Sequence, residues 1–334
     1  RSLEGIADNT GVESGDVRLN VNQELTDKLS LKFRMNAFIS NGQFAQDGSR
    51  SPGPSSYISS IVRSKPLIEF DIDDINDLED SNPFAWINDF EDLAKENRFF
   101  GNISLDYKLP IDGLKYVVQF GGNIRYKERR RFYGLTTYSG RNTNGKLAVS
   151  SLNSKSYQLN NLLQYNKKVT KSSRINAVVG VTYDIRDSNN EVYEVSNFST
   201  VAFGSAQPAF AQTVSRPIEN RINKTQLLSY LGRVNYSYKG RYIFTGSFRA
   251  DGSSKFSKEN RFSFFPSASV AWNVSKEKFM KPIKNTLNQF KLRLGWGRIG
   301  NQGINPYQTA ANYGPVLYGD ASNGVGVGFA PLNI

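Results

Sequence analysis

The stretch that decides the fold is residues 99–126, FFGNISLDYKLPIDGLKYVVQFGGNIRY. Phe99, Ile103, Leu105, Tyr107 and Leu109 alternate with Asn102, Ser104, Asp106 and Lys108. After Pro110-Ile111-Asp112-Gly113 the alternation resumes with Leu114, Tyr116, Val118, Phe120, Ile124 and Tyr126 against Lys115, Gln119, Asn123 and Arg125. A period of two puts the apolar set on one face and the polar set on the other, so this is a hairpin with one greasy and one wet face. Its arms match the ~9–11 residues that a tilted strand needs to cross a bilayer, about twice the usual globular strand.

The unit recurs on both sides. Val17, Leu19, Val21 and Leu25 turn at Thr26-Asp27-Lys28 into Leu29, Leu31, Phe33, Met35, Ala37 and Ile39. Tyr157, Leu159, Leu163 and Tyr165 precede a Lys/Ser/Thr turn near 167–173, then Ile175, Ala177, Val179, Val181, Tyr183 and Ile185. Leu228 to Tyr238 turns at Lys239-Gly240 into Tyr242 to Ala250, and Phe262 to Val274 is followed, after a longer connection, by Phe290 to Trp296. About ten strands result. Between hairpins the chain runs through long Gly-, Ser-, Asn- and Asp-rich stretches, roughly 41–98, 127–155, 186–223, 251–261 and 297–334, read as loops with short helices expected at 57–63 and 84–96. Short turns on one side and long loops on the other are the layout of a transmembrane barrel. The expected fold is all-β, an antiparallel transmembrane β-barrel segment with short periplasmic turns and long extracellular loops.

Charge supports this. No Lys, Arg, Asp or Glu falls on the apolar face of any run, whereas Arg18, Lys32, Arg34, Lys115, Arg174, Arg233 and Arg293 lie opposite. A basic residue facing lipid at midplane costs about 2–4 kcal/mol, so strict exclusion is expected. Tyr107, Tyr126, Tyr157, Tyr165, Tyr183, Tyr238, Tyr242 and Trp272 sit near run ends, where interfacial girdles place amphipathic rings. The 42 Lys+Arg against 30 Asp+Glu, a net +12, therefore belong to wet faces and loops rather than to a nucleic-acid footprint. A mean hydropathy of −0.48 fits apolar residues spread in alternation.

The chemistry is bounded by absences. The chain has no His and no Cys, which excludes imidazole-dependent triads, thiolate zinc sites and iron–sulfur clusters. Gly295-Trp296-Gly297-Arg298-Ile299-Gly300 fits GxGxxG but ends a strand instead of opening a helix. Gly140 to Lys146 approaches a P-loop but has Leu147 where the Mg²⁺-binding hydroxyl belongs. The acidic run Asp71, Asp73, Asp74, Asp77, Glu79 and Asp80 lacks EF-hand spacing; it reads as a solvated face, and whether it takes calcium stays open. Arg129-Arg130-Arg131 with Phe132 and Tyr133 reads as a strand extension beyond the membrane, with no nucleic acid as partner. Tyr57, Trp86, Tyr133, Tyr138, Tyr313 and Tyr318 are candidate stacking surfaces for sugar rings, against the plainer reading that they pack loops. No catalytic, cofactor or metal-binding residue is expected.

One segment carries a family signature. Leu231-Gly232-Arg233-Val234-Asn235-Tyr236-Ser237-Tyr238-Lys239-Gly240-Arg241-Tyr242 leads to Arg249-Ala250-Asp251-Gly252-Ser253-Ser254-Lys255-Phe256, then Phe265-Pro266-Ser267, Ala271-Trp272 and Gly300-Asn301-Gln302-Gly303-Ile304. With Asn82-Pro83…Trp86 and Asn97 to Asn102 upstream, this resembles the SusC/RagA-like TonB-linked outer-membrane transporters of Bacteroidetes-type bacteria. The resemblance implies a plugged barrel of ~22 strands in the bacterial outer membrane, a SusD-like surface lipoprotein as lid, and TonB as energy source. It implies active import of oligosaccharides, peptides or other nutrients and no enzymatic activity. On this reading residues 1–334 are part of one barrel domain, with plug, TonB-contacting region and closing strands absent, and outer-membrane lipid as a further partner. Two alternatives remain open: a soluble or surface-displayed carbohydrate-binding β-sandwich, and a passive porin.

Overall fold

A computed structural model describes residues 1–6, 8–44, 83–283, 286–309, 313–318 and 326–331. Along the chain they form β1 (Ser2–Glu4), β2 (Gly11–Glu24), β3 (Leu29–Gln43), helix α1 (Pro83–Asn88), β4 (Phe90–Lys108), β5 (Leu114–Tyr133) and helix α2 (Tyr138–Asn142). There follow β6 (Lys146–Lys168), β7 (Ser173–Phe198), β8 (Ala211–Tyr238), β9 (Tyr242–Ser253), β10 (Phe262–Asn273), β11 (Lys291–Gly297), β12 (Tyr313–Tyr318) and β13 (Gly326–Pro331). Strands β1 to β11 make one 11-stranded sheet in sequence order, every pair antiparallel, and β12–β13 form a separate hairpin. All ten strands read from the sequence are present as β2 to β11. A sandwich needs two sheets packed face to face around a core; one meandering sheet replaces it here.

The apolar rows are not a core. Val17, Leu19, Phe99, Leu105, Phe120, Leu159, Val234, Phe248, Phe264, Leu294 and Trp296 are all exposed, and they share the same face of the sheet through the register of β2 to β11. An apolar band this long has no counterpart on soluble monomers and marks a lipid-facing surface. The run Leu114–Tyr126 is about 40 Å long at ~3.3 Å per residue, which spans about 28 Å of height when tilted by ~45°. Ring pairs stack across strands along this face, including Phe120–Tyr157 at 6.2 Å and Tyr242–Trp272 at 6.5 Å between centroids.

Short connections have specific causes. In the β2–β3 turn the Thr26 hydroxyl accepts from the Leu29 N–H at 3.0 Å, and in the β6–β7 turn Thr170 accepts likewise from Ser173 at 3.0 Å, a side chain standing in for a turn carbonyl. Between β8 and β9, Lys239 and Gly240 both take positive φ (52° and 63°) and the Arg241 N–H donates to the Tyr238 carbonyl at 2.9 Å. That mirror-image turn matches the twist of a hairpin.

At the other end the structure corrects the sequence reading. Much of 127–155 and 186–223, expected as loops, is strand: β4 to β8 run 19, 20, 23, 26 and 28 residues, with the β7–β8 pairing shifted in register between Val192 and Val195. The helix expected over 84–96 stops at Asn88, and β4 starts at Phe90; the one expected at 57–63 lies outside the described residues. β1 and the β12–β13 hairpin were not read from the sequence. Above the bilayer both faces of a strand meet water or other loops, so alternation is no longer enforced and the pattern fades while pairing continues. Cross-strand ion pairs take its place: Arg125–Glu96 at 2.8 Å, Lys146–Glu194 at 2.8 Å, and Arg129 with the fully buried Asp92.

The described core sits in these extensions. Phe132, Leu147, Val149 and Phe198 are buried together, with Tyr193, Val195, Val201 and Phe210 packed on them. Residues 199–210 thus cover the face that lower down is left for lipid.

Candidate functional site

The face turned away from lipid is built from paired polar groups. Near the short-turn end Asp106 accepts from Lys32 at 2.9 Å, Lys115 at 3.1 Å and the Ser104 hydroxyl at 2.9 Å. Three neighbouring strands, β3, β4 and β5, meet in this one carboxylate, because Ser30↔Asp106 and Lys108↔Lys115 registers bring both lysines beside it. Higher up, Arg125 holds Glu96 in a two-bond fork at 2.8 and 3.0 Å. On β9, Arg249 bonds Asp251 at 2.6 and 2.9 Å and the buried Ser229 hydroxyl of β8 at 3.0 Å, so this motif ties two strands together.

On β4 and β5, between the Asp106 cluster and the Arg125–Glu96 fork, lies one side of a cavity of about 750 Å³. Asn102, Asn123, Gln158, Asp184, Arg186 and Asn223 line it from β4 to β8, and Asn301, Gln302 and Gly303 close it from the far side. The segment after β11 reaches that position because Lys255 holds it: its ammonium donates to the Gln302 carbonyl at 3.1 Å and the Ile304 carbonyl at 2.9 Å. Thr309 donates back to the Lys255 carbonyl at 3.0 Å, and the Tyr307 hydroxyl accepts from the Lys224 N–H at 3.3 Å. The cavity wall offers amide, carboxylate and guanidinium groups with no activated nucleophile. Among the described residues no group of three or more Asp and Glu gathers to hold a metal; the acidic run 71–80 lies outside them.

The aromatic candidates separate. Trp86 and Tyr133 come together, ring centroids 6.4 Å apart, and both pack on Phe90, leaving 9% and 8% of their surface exposed. Their faces are spent on packing. Tyr138 opens α2 and is 44% exposed. Tyr313 and Tyr318 bound β12, opposite Pro331 and Gly326 of β13; Tyr57 lies outside the described residues. The basic run is also absorbed: Arg129 pairs with Asp92, Arg130 bonds Glu128 at 2.8 Å and the Ser205 carbonyl at 3.1 Å, and Phe132 enters the extension core. Just outside the bilayer, the Tyr126 hydroxyl donates to Glu128 at 2.7 Å, which with Arg130 holds that carboxyl below its usual range. The GxGxxG match spans the end of β11, and the P-loop match runs from α2 through Gly145, at φ 82°, into β6; neither has the helix a phosphate needs. The alternation already puts Asp184 on the wet face of its strand, but Arg186 and the Lys255 strap are not singled out by it, although Gly300 to Ile304 carried part of the signal.

A sequence profile of the TonB dependent receptor-like β-barrel matches residues 25–331. The chain belongs to that family. It is 30% identical over 337 residues to TonB-dependent receptor P3 of Formosa agariphila, covering 96% of this chain and 33% of that protein. It is 33% identical over 235 residues to TonB-dependent receptor SusC of Bacteroides thetaiotaomicron, covering 67% of this chain and 21% of SusC. Among solved structures, the RagAB peptide transporter superposes with a TM-score of 0.73 at 16% identity, over 96% of this chain and 36% of the matched chain. The chain thus spans about a third of the length of such relatives. As in other TonB-dependent receptors, the barrel lies in the bacterial outer membrane, and β2 to β11 are ten strands of its wall.

Proposed function

We propose that this barrel segment belongs to an active importer of oligosaccharides or peptides, driven by TonB and working with a SusD-like surface lipoprotein. The observation that carries the reading is the wall of hydrogen-bonding groups around about 750 Å³ towards the long-loop end, on the face hidden from lipid. Amides and a mixed set of charges suit ligands rich in hydroxyls or peptide groups, which need many modest hydrogen bonds rather than one strong anchor. On this reading the cargo passes through chemically unchanged. RagAB, whose fold this chain shares, is a peptide transporter, which supports the peptide half of that substrate class.

The test is uptake in the native bacterium. Deleting the full gene should abolish growth on one oligosaccharide or peptide source, and deleting TonB should do the same. Uptake that survives loss of TonB would instead describe a passive porin. The full-length protein purified in mild detergent should carry a surface lipoprotein with it and return the transported compound chemically unchanged.

A further inference from the structure

The short connections at the periplasmic end form one continuous rim. The Lys108 N–H donates to the Lys28 carbonyl at 2.8 Å, Asn166 to Gly113 at 2.8 Å, Lys239 to Ser172 at 2.6 Å and Asn273 to Arg241 at 2.7 Å. Over its last three turns this rim is strongly basic. Lys168, Lys171, Lys239, Lys276, Lys278 and Lys281 are all exposed, and among the described residues none of them has an ion-pair partner. The acids present are already taken, Asp112 by Lys167 at 3.3 Å and Glu277 by Arg241 at 3.0 Å. Six ammonium groups on adjacent turns without an ion pair of their own, Lys239 resting on the Tyr238 ring at 5.1 Å, repel one another, so a folded chain holds them together at a cost that an anionic partner removes.

A second, independent feature lies beside them. The 3-10 segment Lys278–Ile283 buries Met280 but exposes Phe279 at 62% and Ile283 at 49%. Phe279 sits edge-on to Trp272, 6.4 Å between centroids, and Trp272 is part of the lipid-facing row with Tyr242. Phe279 therefore projects on the outside of the barrel at the lower aromatic row, with exposed lysines at positions 276, 278 and 281 beside it in sequence. Apolar groups flanked by ammonium groups at that depth are an interfacial arrangement, rings and alkyl stems in the acyl region and charges at headgroup level.

We propose that residues 166–173, 239–241 and 274–283 bind the phosphate headgroups of anionic phospholipid in the leaflet at the short-turn end, with Phe279 and Ile283 among the acyl chains. A free phosphate ion would satisfy the lysines but leave Phe279 and Ile283 facing water. The lipid satisfies both. The site rests on the barrel's membrane placement and is independent of what the transporter imports.

The test uses the full-length transporter in discs made from equal phosphatidylcholine and phosphatidylglycerol, with the lipid that stays bound after detergent extraction measured by native mass spectrometry. Phosphatidylglycerol should be enriched about tenfold, as expected for several basic residues acting at a headgroup plane. The enrichment should collapse in Lys276→Gln/Lys278→Gln/Lys281→Gln and persist in Lys95→Gln/Lys155→Gln, whose lysines lie at the opposite end. Equal retention of both lipids, or enrichment undiminished in the triple variant, overturns the proposal. So does complete displacement by millimolar inorganic phosphate, which would make the rim a general anion patch. Should the triple variant not fold, a salt titration of the unmodified protein decides: enrichment must fall as sodium chloride rises, and salt-independent enrichment contradicts the assignment.

Discussion

Glu277 gathers the periplasmic foot into one piece. It accepts from the Tyr242 hydroxyl at 2.8 Å and the Trp272 indole N–H at 3.1 Å, and it pairs with Arg241 at 3.0 Å. The donated hydrogen bonds, Tyr242 first and then Trp272, hold its carboxyl below the ordinary value of 4.5. A lowered folded-state value means that the carboxylate's contribution is complete above the unfolded chain's value and is lost as the pH falls from there through the folded one. Thermal unfolding of the detergent-solubilised protein should therefore show a drop on acidification below about pH 4.5 that shrinks in Glu277→Gln. An unchanged acid profile would remove Glu277 from this role. Gly113 is the other residue with little freedom: at φ 82° an added Cβ would stand 2.5 Å from the Asn166 carbonyl oxygen of the next turn. Gly113→Ala should destabilise the barrel by about 1–3 kcal/mol, strain and displacement combined, read from urea unfolding in detergent.

At the scale of the strand, lipid writes the pattern. From Leu114 to Tyr126 each even position faces the membrane and each odd one the interior, so Val118 and Gln119 are neighbours in sequence with opposite solvents. Val118→Arg should lower barrel stability by about 2–4 kcal/mol, whereas Gln119→Arg should change it by less than about 1 kcal/mol. Equal effects would mean that the two faces are misassigned. The same rule explains what was legible. Every strand segment within the bilayer could be read from the sequence, because hydrocarbon forbids charge on one face. The extensions Lys146 to Asn153 and Asp187 to Phe198 could not, since their pairing rests on partners such as Lys146 with Glu194 that no period announces. Trp86 and Tyr133 were misleading for a related reason. A large ring in a long loop looks the same in sequence whether it waits for a sugar or packs on Phe90.

For the whole molecule, the sheet's two edges matter most. β1 and β11 each have one neighbour in the 11-stranded order, as suits a part of the wall of a larger barrel, and the relatives are about three times longer. Contacts that bring distant segments together are the least visible in sequence. The strap from Lys255 to Gln302 and Ile304 joins residues 47 and 49 positions apart, and with the Thr309 and Tyr307 contacts it sets the far side of the inner cavity. Family-specific residues from Gly300 to Ile304 hinted at importance there without revealing the partner. The net +12 resolves into interior wall, outer rim and periplasmic foot.

All of this depends on one face meeting lipid and the other an aqueous interior. This chain contains no Cys, so single cysteines can be placed from Leu114 to Tyr126 in a full-length transporter cleared of any cysteine elsewhere, spin-labelled, and compared for accessibility to oxygen and to a water-soluble nickel complex in proteoliposomes. The account predicts a strict period of two, with oxygen reaching 116, 118, 120 and 124 and nickel reaching 115, 119, 121 and 123. A profile without that alternation, or with its phase inverted, would contradict it.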